Sequence, residues 1–252
     1  MTEKFNSAGV EIAYETWGQG PPVLLIHGFA SNRNVNWVDT GWVKALTVAG
    51  YRVIALDNRG HGESGKLYDS NQYLAPMMAD DAKRLLDHLD IEKAAVMGYS
   101  MGARITAFLT MQNPGRVRCA IFAGLAERMI SGVGGAEEIA EALEAAHLGD
   151  VTHREARGFR IFADSTRSDR AALAACIRSS RVRIKAEALA AIRCPVLVVA
   201  GELDEISGPV AGLTSVIPGA KGVVLPKRNH MNAVGDSGYK EAVIRFLGEA
   251  GE

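Results

Sequence analysis

Short apolar runs rich in β-branched residues alternate along the chain with longer stretches in which apolar residues recur every three to four positions. The apolar runs predict core strands at residues 23–26, 52–56, 94–97, 120–123, 195–200 and 222–225. The periodic stretches predict helices at residues 74–89, 102–111 and 239–247. Alternating apolar residues after a Ser-Ala-Gly turn predict an edge hairpin at residues 4–16. Together these patterns predict an α/β protein with about eight strands in a mostly parallel sheet flanked by helices.

One long interval interrupts this alternation. Residues 125–193 contain no convincing strand, only alanine-rich, charged helical sequence with glycine breaks at Gly132, Gly134, Gly135, Gly149 and Gly158. We interpret this interval as a helical cap inserted into a core domain formed by residues 1–124 and 194–252. Acids dominate residues 127–150 and bases dominate residues 154–193. Solvated helix faces explain this segregation most simply, and a positive rim that attracts an anionic substrate is the alternative.

Composition narrows the possible functions. The 252 residues are 48% hydrophobic and 23% charged with a net charge of −1, which suits a globular protein and argues against a nucleic-acid partner. No apolar run approaches the roughly 18 residues of a spanning helix, and residues 1–10 lack the apolar core of a secretion signal. We therefore expect a cytoplasmic protein that does not bind membranes. The spacing of Cys119, Cys176 and Cys194 and of the histidines suggests no disulfide, no metal and no cofactor.

The candidate nucleophile lies in a G-x-S-x-G motif at residues 98–102, which read Gly-Tyr-Ser-Met-Gly. An apolar strand precedes the motif and a helical run follows it, as a strand–turn–helix elbow requires. Glycines on both sides permit a turn too sharp for side chains and lift the serine hydroxyl clear of the backbone. A serine that merely caps a helix would fit the same five residues. The context of the motif favours Ser100 as a nucleophile.

A serine hydroxyl is a poor nucleophile at neutral pH, so the hypothesis requires a general base and a carboxylate that orients it. The loop after the strand at 195–200 carries Asp204, and the loop after the strand at 222–225 carries His230. Because parallel strands end at one edge of a sheet, both side chains can reach Ser100. The order serine, acid, histidine is a known triad order. Other carboxylates stand near these loops: Glu202, Glu205 and Asp236.

Acyl transfer also requires hydrogen-bond donors for the oxyanion that develops on the substrate. The backbone N–H of Met101, directly after the nucleophile, is the first candidate. The second candidate is the N–H of Phe29, in the loop that follows the strand at 23–26. We expect the neighbouring His27 to hold this loop by a ring hydrogen bond.

Five segments then carry a resemblance to a known family: residues 27–29, 57–64, 98–102, 201–204 and 229–230. Across nearly the whole chain the sequence resembles the α/β-hydrolase superfamily, and it looks most like small capped bacterial esterases and cofactor-free perhydrolases. The resemblance implies the α/β-hydrolase fold, favours Asp204 as the triad acid, and gives Arg59 and His61 a structural role. His61 remains a distant alternative to His230 as the base.

The nucleophile restricts the chemistry that the resemblance allows. Epoxide hydrolases and haloalkane dehalogenases similar to this chain carry aspartate at the elbow, whereas this chain has Ser100, and residues 125–193 contain neither tyrosine nor tryptophan. Acyl chemistry remains: hydrolysis of an ester, thioester, lactone or activated C–C bond, or perhydrolysis. The expected partner is a small acyl substrate. A ligand-binding protein on a hydrolase scaffold is the alternative of another class, and the oligomeric state stays open.

Two phosphate-binding patterns also occur in the sequence. Residues 60–65 fit G-x-G-x-x-G, and residues 60–67 nearly spell a P-loop. The first pattern fails because residues 66–71 do not read as the start of a helix. The second fails because Leu67 occupies the position of the Mg²⁺-binding serine or threonine. We therefore expect neither nucleotide site.

Overall fold

The computed structural model describes residues 1–251, and within them eight strands form a single sheet. The strands are β1 (Glu3–Ser7), β2 (Val10–Trp17), β3 (Pro22–Ile26), β4 (Arg52–Leu56), β5 (Ala94–Tyr99), β6 (Val117–Ala123), β7 (Val196–Gly201) and β8 (Lys221–Leu225). Their spatial order is β1-β2-β4-β3-β5-β6-β7-β8. Strand β2 pairs antiparallel with β1 and β4, and all other pairs are parallel. The predicted mostly parallel, eight-stranded sheet is confirmed. Glu252, the last residue of the predicted core segment, lies outside the described residues.

Helices flank this sheet. Over residues 1–251 they are α1 (Trp42–Val48), α2 (Ala75–His88), α3 (Met101–Gln112), α4 (Arg128–Ser131), α5 (Ala136–Glu144), α6 (Arg154–Ser165), α7 (Arg170–Ser180), α8 (Ala186–Ala190), α9 (Val210–Thr214) and α10 (Ser237–Glu249). The helices predicted at 74–89, 102–111 and 239–247 are α2, α3 and α10. No α-helix starts at residues 66–71. None of the helices in residues 1–251 combines the length and apolarity needed to cross a bilayer.

The central strands are buried on both faces because helices cover both sides of the sheet. On one side, Leu85 of α2 and Ile105 of α3 pack in an apolar core that extends to Leu173 of α7. On the other side, Leu46 of α1 and Val243 of α10 pack in a second core. Double burial explains why these strands read as continuous apolar runs. It also fixes the strand ends from which the loops of the candidate site emerge.

Helices α4 to α8 fill the interval between β6 and β7, where the sequence predicted a helical cap at residues 125–193. We keep the name helical cap for these residues; the division into core and cap domains remains a prediction. Most glycine breaks agree with the structure, since Gly132 follows α4 and Gly135 precedes α5. The break expected at Gly158 is wrong, because this residue lies inside α6. A helical glycine costs about 1 kcal/mol relative to alanine, and packing of the amphipathic helix outweighs that cost.

Candidate active site

The turn between β5 and α3 presents Ser100 in a strained conformation, with φ of 56° and ψ of −111°. A Cβ atom at Gly98 would overlap the carbonyl oxygen of Gly102, and one at Gly102 would overlap the carbonyl oxygen of Ile26. These neighbours are backbone atoms of packed elements and cannot move aside. Both motif positions therefore require glycine, and the tight turn places Ser100 on the wall of a cavity.

Ser100, His230 and Asp204 meet at the carboxyl edge of the sheet, as the sequence predicts. Ser100 Oγ lies 3.0 Å from His230 Nε2, and His230 Nδ1 lies 2.9 Å from Asp204 Oδ2. The buried Asp204 carboxylate also accepts hydrogen bonds from the backbone N–H groups of Ile206 (3.0 Å) and Ser207 (2.9 Å), which fix its orientation. Because an ionised carboxylate only accepts, Nδ1 carries the ring proton, and Nε2 is left to accept the serine proton.

The neighbouring carboxylates do not compete for the histidine. Glu202 and Glu205 are exposed on the β7 loop, and Asp236 accepts hydrogen bonds at the start of α10. Among residues 1–251, Asp204 is the carboxylate within hydrogen-bond distance of the His230 ring. Of the carboxylates that spacing alone left open, Asp204 is therefore the one that contacts His230.

Two side chains that the sequence analysis did not single out hold the histidine loop. The Tyr99 hydroxyl donates to the carbonyl oxygen of His230 at 2.6 Å, and the Trp42 indole donates to that of Val234 at 2.6 Å. Burial raises the pKa of Tyr99 well above its usual value, so its hydroxyl remains a donor. A polar aromatic residue at the end of an otherwise apolar core strand was the available signal. Tyr99 acts on the base through its backbone, as a positioning residue.

Phe29 and Met101, whose N–H groups are the proposed oxyanion donors, line the same cavity as Ser100. Neither Phe29 N–H nor Met101 N–H donates a hydrogen bond to another atom of residues 1–251. The loop that carries Phe29 is held by Asn36, whose side-chain oxygen accepts the N–H of Gly28 at 3.0 Å. A Cβ atom at Gly28 would lie 3.6 Å from Ser100 Cβ, so this loop lies directly against the elbow. Two uncommitted N–H groups beside a nucleophile suit an oxyanion hole.

The two buried histidines, His27 and His61, bond to loop backbone rather than to Ser100. His27 Nε2 accepts the N–H of Asn58 at 2.9 Å, so its Nδ1–H donates to the carbonyl oxygen of Gly28 at 2.7 Å. Burial lowers the pKa of His27 to about 4 and that of His61 to about 3, so both rings are neutral at pH 7. The His61 ring packs against that of His27 with centroids 5.2 Å apart and bonds to the carbonyl oxygen of Arg59. The structural roles expected for both residues agree with these contacts.

The cavity at the triad has a volume of about 490 Å³ and lies between the sheet edge and the helical cap. Its cap wall is largely apolar and includes Leu125, Phe159, Phe162 and Ile177. The cap also contacts the loop after β3 that carries Phe29, which we name the oxyanion loop after its proposed role. The rings of Phe159 and Phe29 lie 5.8 Å apart. Within residues 1–251, no group of three or more His, Cys, Asp or Glu side chains is arranged to hold a metal ion. The site thus combines a largely apolar cavity with the hydrogen-bonded chain of Ser100, His230 and Asp204 and with two uncommitted backbone N–H groups.

Two arginines in the cavity wall were missed at the sequence level. Arg104 lies on α3 and is only 2% exposed, whereas a helical arginine is normally expected in solvent. Arg181 follows α7 and lines the same cavity. The sequence marked the basic character of the cap but gave no sign that Arg104 would be buried.

Known proteins share this architecture. Residues 21–132 match a family model described as the alpha/beta hydrolase fold. Non-heme chloroperoxidase CPO-A1 from Kitasatospora aureofaciens is 40% identical over 114 residues, which cover 45% of this chain and 40% of that protein. Epoxide hydrolase 3 from Siraitia grosvenorii is 32% identical over 119 residues, covering 46% of this chain and 36% of that protein. These matches therefore span about two fifths of the curated relatives.

A solved structure extends the similarity to almost the full chain. The crystal structure of a hydrolase from Pseudomonas aeruginosa PA01 has a TM-score of 0.80 and 25% sequence identity, and the alignment covers 98% of both chains. The partial family-model match, the eight-stranded sheet with its helices and this full-length structural similarity together show that the chain has the α/β-hydrolase fold.

Proposed function

We propose that the protein is a serine hydrolase that cleaves carboxylic esters through an acyl-enzyme intermediate. One observation carries the proposal: Ser100 Oγ lies 3.0 Å from His230 Nε2, and the opposite ring nitrogen faces the buried Asp204 carboxylate. A scaffold that only bound ligands would have no physical need for these three side chains to converge from three separate strand ends.

In the first half-reaction, Ser100 Oγ attacks the acyl carbon of the ester while His230 Nε2 takes the hydroxyl proton. The negative charge moves to the former carbonyl oxygen, where the N–H groups of Phe29 and Met101 can stabilise it. The imidazolium formed at His230 is stabilised by Asp204. When the tetrahedral intermediate collapses, the C–O bond to the alcohol breaks, and the proton on Nε2 passes to the leaving oxygen.

The second half-reaction releases the acid. A water molecule attacks the acyl carbon and gives a proton to His230 Nε2, and the bond to Ser100 Oγ then breaks as that oxygen regains the proton. The net reaction converts ester and water to carboxylic acid and alcohol. Each oxyanion donor contributes about 10²–10³ in rate in related chemistry, so the free N–H groups of the oxyanion loop and the elbow matter as much as the base.

The chemistry of epoxide hydrolysis fits the site less well. The elbow presents a hydroxyl rather than a carboxylate, and the helical cap offers no tyrosine or tryptophan to polarise an epoxide or hold a halide. We therefore favour acyl substrates, which include thioesters, lactones and activated C–C bonds as well as esters.

Hydrogen peroxide is a second candidate acceptor, favoured by the similarity to non-heme chloroperoxidase CPO-A1. Peroxide in place of water would attack the same acyl-enzyme and yield a peracid with Ser100 restored. Adding peroxide during ester turnover tests this candidate, because a perhydrolase would divide its product between acid and peracid. If the product remains entirely carboxylic acid, this alternative is wrong.

We further propose that the protein works in the cytoplasm on a small acyl substrate. Supporting this, Cys119, Cys176 and Cys194 are free cysteines, as is usual for proteins of a reducing compartment.

Stopped-flow kinetics with 4-nitrophenyl acetate test the acyl-enzyme. We expect a burst of about one 4-nitrophenol per active site, followed by slower turnover, because acylation of an activated ester outpaces deacylation. The Ser100→Ala variant should show neither burst nor turnover. The matched control is Ser215→Ala, which removes an exposed hydroxyl after α9 and should keep both phases. Full turnover by Ser100→Ala would overturn the proposal.

A further inference from the structure

An unpaired positive charge lies inside the cavity wall. Arg104 is 2% exposed, and in the described part of the chain its guanidinium makes a single hydrogen bond, from Nη1 to the carbonyl oxygen of Val182. No carboxylate of residues 1–251 lies within 4.0 Å of this guanidinium. Within residues 1–251, Nε and Nη2 of Arg104 are therefore donors without an acceptor.

A second arginine adds to this charge. Arg181 Nη1 donates to the carbonyl oxygen of Gly134, and its guanidinium lies 5.9 Å from the centre of the Phe159 ring. The charges of Glu138 and Glu155 act on Arg181 from a distance, but both acids are exposed, and within residues 1–251 neither forms an ion pair with Arg181. Glu155 stands on the cavity lining, where it faces solvent.

This arrangement costs folding free energy unless something compensates it. A buried charge without a partner is strongly unfavourable, and two like charges in one cavity repel each other. Burial and the neighbouring Arg181 lower the pKa of Arg104 to about 10, so the guanidinium remains charged at pH 7. By contrast, other buried arginines of this chain have acids: Arg33 pairs with Asp57 and Arg59 with Asp81.

We propose that the substrate carries a free carboxylate, which binds Arg104 and Arg181 while its ester group lies at Ser100. Guanidinium groups match carboxylates through paired hydrogen bonds. Arg104 follows Ser100 by four residues, about 6 Å along the axis of α3, and both residues line the same cavity, so one short molecule can contact both. The largely apolar lining of this cavity suits a short aliphatic spacer. This proposal rests on the proposed function of Ser100 and names its substrate class: half-esters of dicarboxylic acids, or esters of hydroxy acids.

Two matched substrate pairs test the proposal. In the first pair, mono-4-nitrophenyl glutarate carries a carboxylate on the acyl side and 4-nitrophenyl pentanoate lacks it. In the second pair, 4-carboxyphenyl acetate carries a carboxylate on the alcohol side and phenyl acetate lacks it. In at least one pair the wild-type kcat/KM should be about tenfold or more higher for the anionic member. Arg104→Met should then lower kcat/KM for that anionic ester by about 10- to 100-fold, mainly through KM, and change the neutral ester by less than about threefold.

Two further variants serve as controls. Arg84→Met removes an equal charge from a side chain that is 40% exposed on α2, and it should leave the preference for the anionic ester unchanged. Arg104→Lys keeps the charge and should retain part of the preference. The melting temperature of Arg104→Met should not fall, because the variant removes an uncompensated buried charge.

The outcomes separate this proposal from the proposed function. If the wild type hydrolyses neutral esters and prefers neither anionic ester, the proposed carboxylate site is wrong, while the proposed hydrolase function is unaffected. The carboxylate site is equally wrong if Arg104→Met lowers kcat/KM equally for the anionic and the neutral ester. It is also wrong if this variant melts several degrees lower and loses activity on both esters. If no ester reacts and Ser100 cannot be labelled, the proposed function itself fails.

Discussion

Replacing His230 by alanine is expected to lower kcat for 4-nitrophenyl acetate by about 10⁴–10⁶, the range found when other triads lose their base. Nε2 of His230 is 3.0 Å from Ser100 Oγ, and the other buried histidines are committed to backbone groups. Without Nε2, the hydroxyl must attack while still carrying its proton.

Steady-state kinetics on purified His230→Ala measure this loss. The matched control is His147→Ala, an exposed histidine of the helical cap, which should keep kcat within about twofold of the parent. Equal melting temperatures would show that both variants remain folded. A loss of less than about tenfold for His230→Ala would contradict its assignment as the general base.

Asp204→Asn is expected to lower kcat by about 10³–10⁴, by analogy with triads in which the acid becomes an amide. The amide oxygen can still accept the backbone N–H groups of Ile206 and Ser207, so the loop should keep its conformation. An amide N–H turned towards Nδ1 stabilises the wrong tautomer, in which Nε2 carries the proton and cannot accept one from Ser100.

Glu205→Gln provides the control for this second prediction, because it makes the same exchange of a carboxylate for an amide at an exposed residue of the same loop. Its kcat should remain close to that of the parent. The assignment of Asp204 would be wrong if Glu205→Gln lost more activity than Asp204→Asn.

The elbow and the strands were predictable from the sequence because their signals are local. An apolar run, two glycines around a serine and a following helical stretch fix a strand–turn–helix unit within about twenty residues. The carboxyl ends of parallel strands then bring distant loops together, which is why Asp204 and His230 could be named. The choice among nearby carboxylates needed the resemblance, and in the structure it follows from which side chain faces the His230 ring.

The cavity could not be predicted because it depends on how distant helices pack. Arg104 lies four residues after Ser100, and its buried guanidinium bonds to Val182 of the helical cap, which is 78 residues further along the chain. Tyr99 and Trp42 anchor the base loop through contacts between residues far apart in the sequence. Gly158 failed as a helix break for the same reason, since the packing of α6 overrides a weak local preference.

The charge segregation of the helical cap has two explanations in the structure. Arg178 of α7 binds both Glu137 and Glu144 of α5, so much of the acidic and basic character pairs on the surface. This agrees with the simpler interpretation of solvated helix faces. Arg181, three residues further on, instead lines the cavity, which supports the alternative of an anionic substrate.

Covalent labelling measures whether Ser100 is a nucleophile activated by His230 and Asp204, as we propose. The intact protein is treated with a fluorophosphonate probe, digested and analysed by mass spectrometry, beside Ser100→Ala under identical conditions. We predict one adduct per chain, located on the peptide that contains Ser100, and no adduct on the variant. A wild-type protein that stays unmodified, or a variant that is modified equally well, would contradict the account and favour a protein that binds ligands without turnover.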